Sequence, residues 1–182
     1  MILAILLTAI LFQTSAQAPS KPMVDNDRVT VWDLTTASKQ PLDAVVVSFS
    51  GKAAFLPKGT TPKLYGRSIV IDLKDHPVAL IPNNSGYPLA FPRPGSKKLL
   101  DNDRVTVWEY TWKPDVPTPM HFHDKDVVVL FLEDGDLKST TPDGQSVVIP
   151  HTAGSVNFNA GNRTHFETLV RGKQHAIITE LK

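Results

Sequence analysis

The chain has 182 residues and a formal net charge of +1, enough for one ordinary domain or two small ones packed together. Its longest basic run is the Lys97–Lys98 pair, which excludes the electrostatic footprint of a nucleic-acid binder. There is no cysteine, so disulfide staples, thiolate metal sites and thiol nucleophiles are excluded, and any chemistry falls to His, Asp, Glu, Arg or Tyr.

Residues 1–18, MILAILLTAILFQTSAQA, place an apolar core from Ile2 to Phe12 ahead of the small-residue pattern Ala16-Gln17-Ala18. The core is too short to cross a bilayer as a helix, which takes about 20 apolar residues. It fits the h-region and cleavage site of a secretory signal peptide, with an uncleaved N-terminal anchor as the alternative. The expectation is an exported protein, periplasmic or extracellular, with no stable membrane span after processing.

Beyond this segment, fifteen prolines, ten glycines and Val-rich runs broken by turn residues point to many short strands. The octapeptide DNDRVTVW occurs at Asp25–Trp32 and again at Asp101–Trp108. Further blocks recur in the same order: Val45–Val47 with Val127–Val129, Thr60–Pro62 with Thr140–Pro142, and Ser68–Ile71 with Ser146–Ile149. The chain therefore reads as an internal duplication, with halves at about 24–99 and 100–182. Between Trp32 and Val45 lie twelve residues, but between Trp108 and Val127 lie eighteen, and the excess falls in the segment holding Pro119-Met120-His121-Phe122-His123. Only the second half is equipped with a histidine cluster.

In each half RVTVW alternates, setting Val29 and Val31, or Val105 and Val107, on one face. Val127 onward is a continuous apolar run ended by a turn, the pattern of a strand buried on both faces. Asp143-Gly144 is a hairpin signal, and His175–Leu181 closes the chain with another β-rich run. The connection over about 80–99 is rich in Pro, Gly and Asn. Its Tyr87, Leu89 and Phe91 favour a loop packed across the fold over a disordered one.

His121 and His123 stand at i and i+2, so on a strand both imidazoles reach one point while Phe122 faces the other way. His165 begins an apparent strand after the turn Asn159–Asn162 and is the candidate third ligand. Neutral imidazoles suit one divalent ion of Fe, Mn, Zn, Ni or Cu. Asp126 is a fourth candidate ligand if a bulge turns it inward; a regular strand points it away. Glu167, Arg163 and Asp126 are the charged groups nearest the cluster, candidates for acid, base or anion clamp. His76, His151 and His175 read as solvated surface histidines.

These motifs carry a resemblance. His121-Phe122-His123 followed by Gly135, then Gly154, Gly161 and His165, is similar to the two motifs of the cupin family. The match covers residues 100–182 directly and the first half through the repeat. It departs from the family pattern at Asp115 and Asn159, which stand where Gly and Pro are usual, and at Val127, which stands at the usual glutamate. The resemblance implies an all-β, double-stranded β-helix or jelly-roll barrel, with a degenerate N-terminal half that lacks ligands. It also implies a metal-centred pocket for a small molecule. The expected function is dioxygenase-like or isomerase-like enzymology at a three-histidine site, or else non-catalytic ligand or metal binding. A homodimer is expected, with a compact monomer as the alternative.

Overall fold

The computed structural model describes residues 21–64, 66–76 and 81–182. The expected signal peptide and residue 80 of the expected connection lie outside the described residues. Fourteen strands, and no helix among the described residues, form three antiparallel sheets. The first contains β1 (Val24–Asp25), β2 (Val29–Leu34), β3 (Asp43–Ser48), β4 (Ala53–Leu56) and β5 (Ser68–Leu73), in the order β1-β2-β5-β3-β4. The second contains β6 (Lys97–Asp101), β7 (Val105–Trp112), β9 (Val127–Phe131), β12 (Val156–Asn159) and β14 (Gln174–Leu181), in the order β12-β9-β14-β7-β6. The third contains β8 (His121–His123), β10 (Gly135–Thr140), β11 (Ser146–His151) and β13 (Arg163–Gly172), in the order β11-β10-β13-β8.

The second sheet is the middle layer. One of its faces presents Val105, Val107, Val128, Leu130, Ile177 and Leu181, which pack with Val29, Val31, Val45, Val47, Ile69 and Ile71 of the first sheet. Its other face presents Trp108, Tyr110, Trp112, Val129, Phe131 and Ile178 toward Leu137 and Leu169 of the third sheet. Val127–Phe131 is buried at every position because β9 has a sheet on each side, and the period-two alternation divides its side chains between two cores. The second and third sheets together make the barrel, with the connection laid across it. Phe122 donates its N–H to Pro88 and accepts from Ala90. Phe91 is buried against Trp108 at 5.3 Å, whereas Tyr87 and Leu89 stay largely exposed.

The duplication has a structural counterpart. Pairing Trp32 with Val70 and Trp108 with Ile178 gives β5 the place in the first sheet that β14 has in the second. Trp32 Nε1 donates to Asp72 at 2.8 Å, and Trp108 Nε1 donates to Glu180 at 2.7 Å. Asn26 accepts from the N–H groups of Arg28 and Val29 as Asn102 accepts from those of Arg104 and Val105. Lys74 bonds Asp25, and Lys182 bonds Asp101. Ser68–Ile71 therefore corresponds to the strand at Ala176–Thr179, not to Ser146–Ile149 in β11, which has no counterpart among the described residues of the first half. That half supplies one five-stranded sheet, and no described strand of it matches β8, β10, β11 or β13.

Candidate metal centre

Three histidines meet because β8 and β13 pair antiparallel with His165 opposite His121 and Arg163 opposite His123. Period-two alternation then puts His121, His123, Arg163, His165 and Glu167 on the interior face. The turn ahead of β13 is fixed at its approach. Asn162, at φ 58°, donates its N–H to the carbonyl of His123 at 2.8 Å, and Gly161 donates to Asp126 Oδ1 at 2.8 Å. Thr118, just before β8, exchanges bonds with the backbone of Glu167 on β13.

The Nε2 atoms of His121 and His123 are 3.2 Å apart, as are those of His123 and His165. Two nitrogens at that separation, each about 2.0–2.1 Å from a common ion, subtend roughly 100° there, within the range of first-row transition-metal coordination. His121 Nδ1 donates to the carbonyl of Pro119 at 2.7 Å, so its proton lies on Nδ1 and the lone pair is on Nε2. Ser139 Oγ lies 2.9 Å from His165 Nδ1 and fixes that ring. All three rings are buried, with exposures of 2%, 6% and 9%.

The electrostatics keep the rings neutral. Burial lowers the pKa of His121 to about 4, with the nearby Arg93 charge adding to the effect. Burial holds His123 well below the usual histidine value, with Arg163 contributing. His165 is lowered by burial as well, against the opposing pull of Glu167. Burial alone would raise Glu167, but the opposing influences, led by the Arg93 charge, leave its pKa below the usual carboxylate value. Its Oε2 accepts from Trp112 Nε1 at 3.0 Å. Neutral imidazoles with directed lone pairs are the donor set a divalent transition ion requires.

Asp126 does not join this cluster. Strand β9 runs without a bulge against β12 and β14, so the inward turn that would make it a ligand is absent. Its carboxylate faces Arg28 at 3.5 Å and accepts from Gly161. The equivalent residue of the first sheet, Asp43, faces Arg104 at 3.0 Å, so the two sheets are clasped by reciprocal Arg–Asp pairs. Asp126 serves the packing and the turn that launches β13.

Two surface expectations are also corrected. His151 is buried, stacked on Phe131 with centroids 3.7 Å apart, and lines the cavity beside the histidines. His175 is half-buried, with Nε2 at 2.9 Å from Glu109 Oε1. His76 is exposed, as expected.

The sequence reading missed Arg93. This residue comes from the Pro-rich connection, is 9% exposed, and places Nη1 3.3 Å from His121 Nε2. It lies over the rings of Tyr110 at 4.0 Å and Phe91 at 4.7 Å. Its one sequence signal is that it is the sole charged residue between Leu80 and Ser96.

No family model matches the chain. It is 33% identical over 101 residues to the "Beta-alanine degradation protein BauB" of Pseudomonas aeruginosa, a match covering 54% of this chain and 99% of that one. It is 30% identical to a cupin domain from Bordetella pertussis whose crystal structure is known, over 50% of this chain and 97% of that one, with a TM-score of 0.44. A cupin 2 conserved barrel domain protein from Leptotrichia buccalis matches across 94% of this chain and 92% of that one, at 12% identity and a TM-score of 0.49. Given its identity to a cupin domain that it spans almost entirely, the chain belongs to the cupin superfamily.

Proposed function

We propose that this chain is a mononuclear metal-dependent cupin enzyme acting on a small molecule, with His121, His123 and His165 as the protein ligands. The observation that carries this reading is the convergence of three neutral imidazoles through Nε2 in a buried pocket. A divalent transition ion held by three protein ligands keeps open positions and supplies Lewis acidity or redox capacity there. Glu167 is ionised at neutral pH and faces the same cavity, so it is the group placed to accept or return a proton. The buried side chains of Trp112 and Phe131 give the cavity an apolar wall beside the histidines. The relative from Pseudomonas aeruginosa is named for β-alanine degradation, which is compatible with small-molecule enzymology here.

The test is metal content of the protein as purified, followed by oxygen uptake and product analysis against a panel of phenols, thiols and small keto acids. Turnover that disappears with the metal and returns on its restoration supports the enzyme. Metal binding without turnover under any metal supports a binding module instead. Failure of the chain to bind any divalent transition ion refutes the metal centre.

Export belongs to the same proposal and is supported by the apolar stretch from Ile2 to Phe12. Protein from an exporting host should begin between Gln17 and Lys21, and Met1 retained on soluble cytoplasmic protein would refute it. A homodimer is supported by the edge strand β11, whose Val147, Val148 and Ile149 are exposed. Sedimentation as a monomer at all concentrations would count against it.

A further inference from the structure

We propose that Arg93, assisted by Arg163, forms an anion seat that holds the carboxylate of a small substrate beside the three histidines. This rests on the metal reading of those histidines and adds the substrate class. Arg93 is a buried cation without a full set of partners. Its Nε is buried with no acceptor, and its nearest carboxylate oxygen, on Glu167, is 3.8 Å from Nη2. Its remaining close contacts are ring faces and the Nε2 of His121. A ring nitrogen has one lone pair, so Nε2 cannot serve both a guanidinium and a metal ion. When His121 ligates metal, Nη1 loses its acceptor and joins Nε as a donor without one.

The charges point the same way. Arg163 lines the same cavity, bonds the carbonyl of Ala160, and has no carboxylate in ion-pair range among the described residues. Two arginines thus face one glutamate around neutral imidazoles, and a divalent ion raises the positive excess further. A positive excess around a buried guanidinium is costly unless an anion enters. A carboxylate fits the planar fork of a guanidinium. The cavity, about 100 Å³, is several times the roughly 10–15 Å³ that one water requires, which suits a ligand of a few heavy atoms. Ser139, Asn157 and Asn159 line the cavity and supply neutral polar contacts for the rest of the molecule.

The probe is propionate, with uncharged propionamide as its control, titrated calorimetrically into zinc-loaded and metal-free protein. Zinc affinity is measured by chelator competition with and without each probe. Propionate should bind at least tenfold more tightly than propionamide. Because coupling is reciprocal, saturating propionate should tighten zinc binding about tenfold, within the 5–150-fold usual for coupled sites. Arg93→Met should abolish the propionate effect and, by removing a cation near the ion, tighten zinc binding in its absence. A merely structural arginine would not produce that increase. Arg93→Lys keeps the charge but not the fork, and should bind propionate several-fold more weakly than wild type.

Equal affinity for propionate and propionamide in zinc-loaded wild type would overturn the anion seat while leaving the metal centre intact. So would undiminished propionate binding by Arg93→Met. If the protein takes up no zinc or other divalent transition ion, the metal reading fails. The metal-free titration then decides the arginine claim on the same criterion of charge preference.

Discussion

Acidification of the metal-free protein should weaken the fold through the buried histidines, and His121 gives the magnitude. Its pKa is about 4 in the folded protein against 6.5 for an exposed histidine, chiefly because burial disfavours the charged ring. Between those values the unfolded chain binds a proton that the folded chain refuses. Stability therefore falls as pH drops through this window, and the contribution is fully present above pH 6.5. At about 1.4 kcal/mol per unit, the shift corresponds to a loss of about 3 kcal/mol by pH 4 from this residue. His123 and His165 are shifted in the same direction and add to the loss. Urea unfolding of metal-free protein, followed by tryptophan fluorescence at pH 7, 6, 5 and 4, measures the slope. His121→Gln removes one titrating ring, so the difference in slope between wild type and variant isolates its share. Identical declines in the two proteins would refute the assignment of acid sensitivity to this ring. Metal should add stability at pH 7 but lose its grip as the ligands protonate, at a lower pH than free histidine would imply.

His121→Ala, His123→Ala and His165→Ala should each weaken zinc binding by more than the roughly 10–100-fold typical of changes outside the ligand sphere. His151→Ala and His175→Ala should bind normally, and calorimetric titration checks all five. Asp126→Asn should leave zinc affinity within a few-fold of wild type, because the amide oxygen still accepts from Gly161; a loss as large as that of His165→Ala would make Asp126 a ligand. Ile71→Ala, in the core between the first and second sheets, should cost about 2–5 kcal/mol in urea unfolding yet leave zinc affinity of the folded protein unchanged.

Much of the site was legible in the sequence because strand geometry is short-range. His121 and His123 share a face by period two, and the turn at Asn159–Asn162 returns the chain so that His165 lies opposite His121. The run at Val127 announced a strand covered on both sides, and Asp143-Gly144 announced the β10–β11 hairpin, though the strands are joined by the loop Thr141–Gln145 and not by a two-residue turn. What pairing decides was not legible. Four-residue apolar strings recur easily, so Ser68–Ile71 was matched to Ser146–Ile149, whereas the ladder and the Trp–carboxylate bonds match it to β14. Arg93 lies in a segment without period, and its burial depends on Tyr110 and Phe91, which the sequence does not tie to it. His151 reads as polar surface because its cover, Phe131, is distant in the chain.

The unequal halves predict one metal ion per chain. A strand pair supplies the whole proposed ligand set, with β8 giving two histidines and β13 giving the third. Both strands belong to the third sheet, and the first half has no described counterpart of that sheet. What the first half shares with the second is the part that packs: the Trp–carboxylate bond, the Asn cap, the lysine clasp and the apolar face. Those features cover the outer face of the middle sheet, which would otherwise expose Val105, Val107, Val128, Leu130 and Ile177 to water. Exposure of that face would cost far more than the loss of a second site, so the packing sheet is the part of the repeat the fold depends on. Elemental analysis after dialysis should return one equivalent of transition metal per polypeptide, falling to none in the His121→Ala, His123→Ala double variant. Two equivalents in the wild type, or one surviving in the double variant, would show that a second ligand set exists outside β8 and β13.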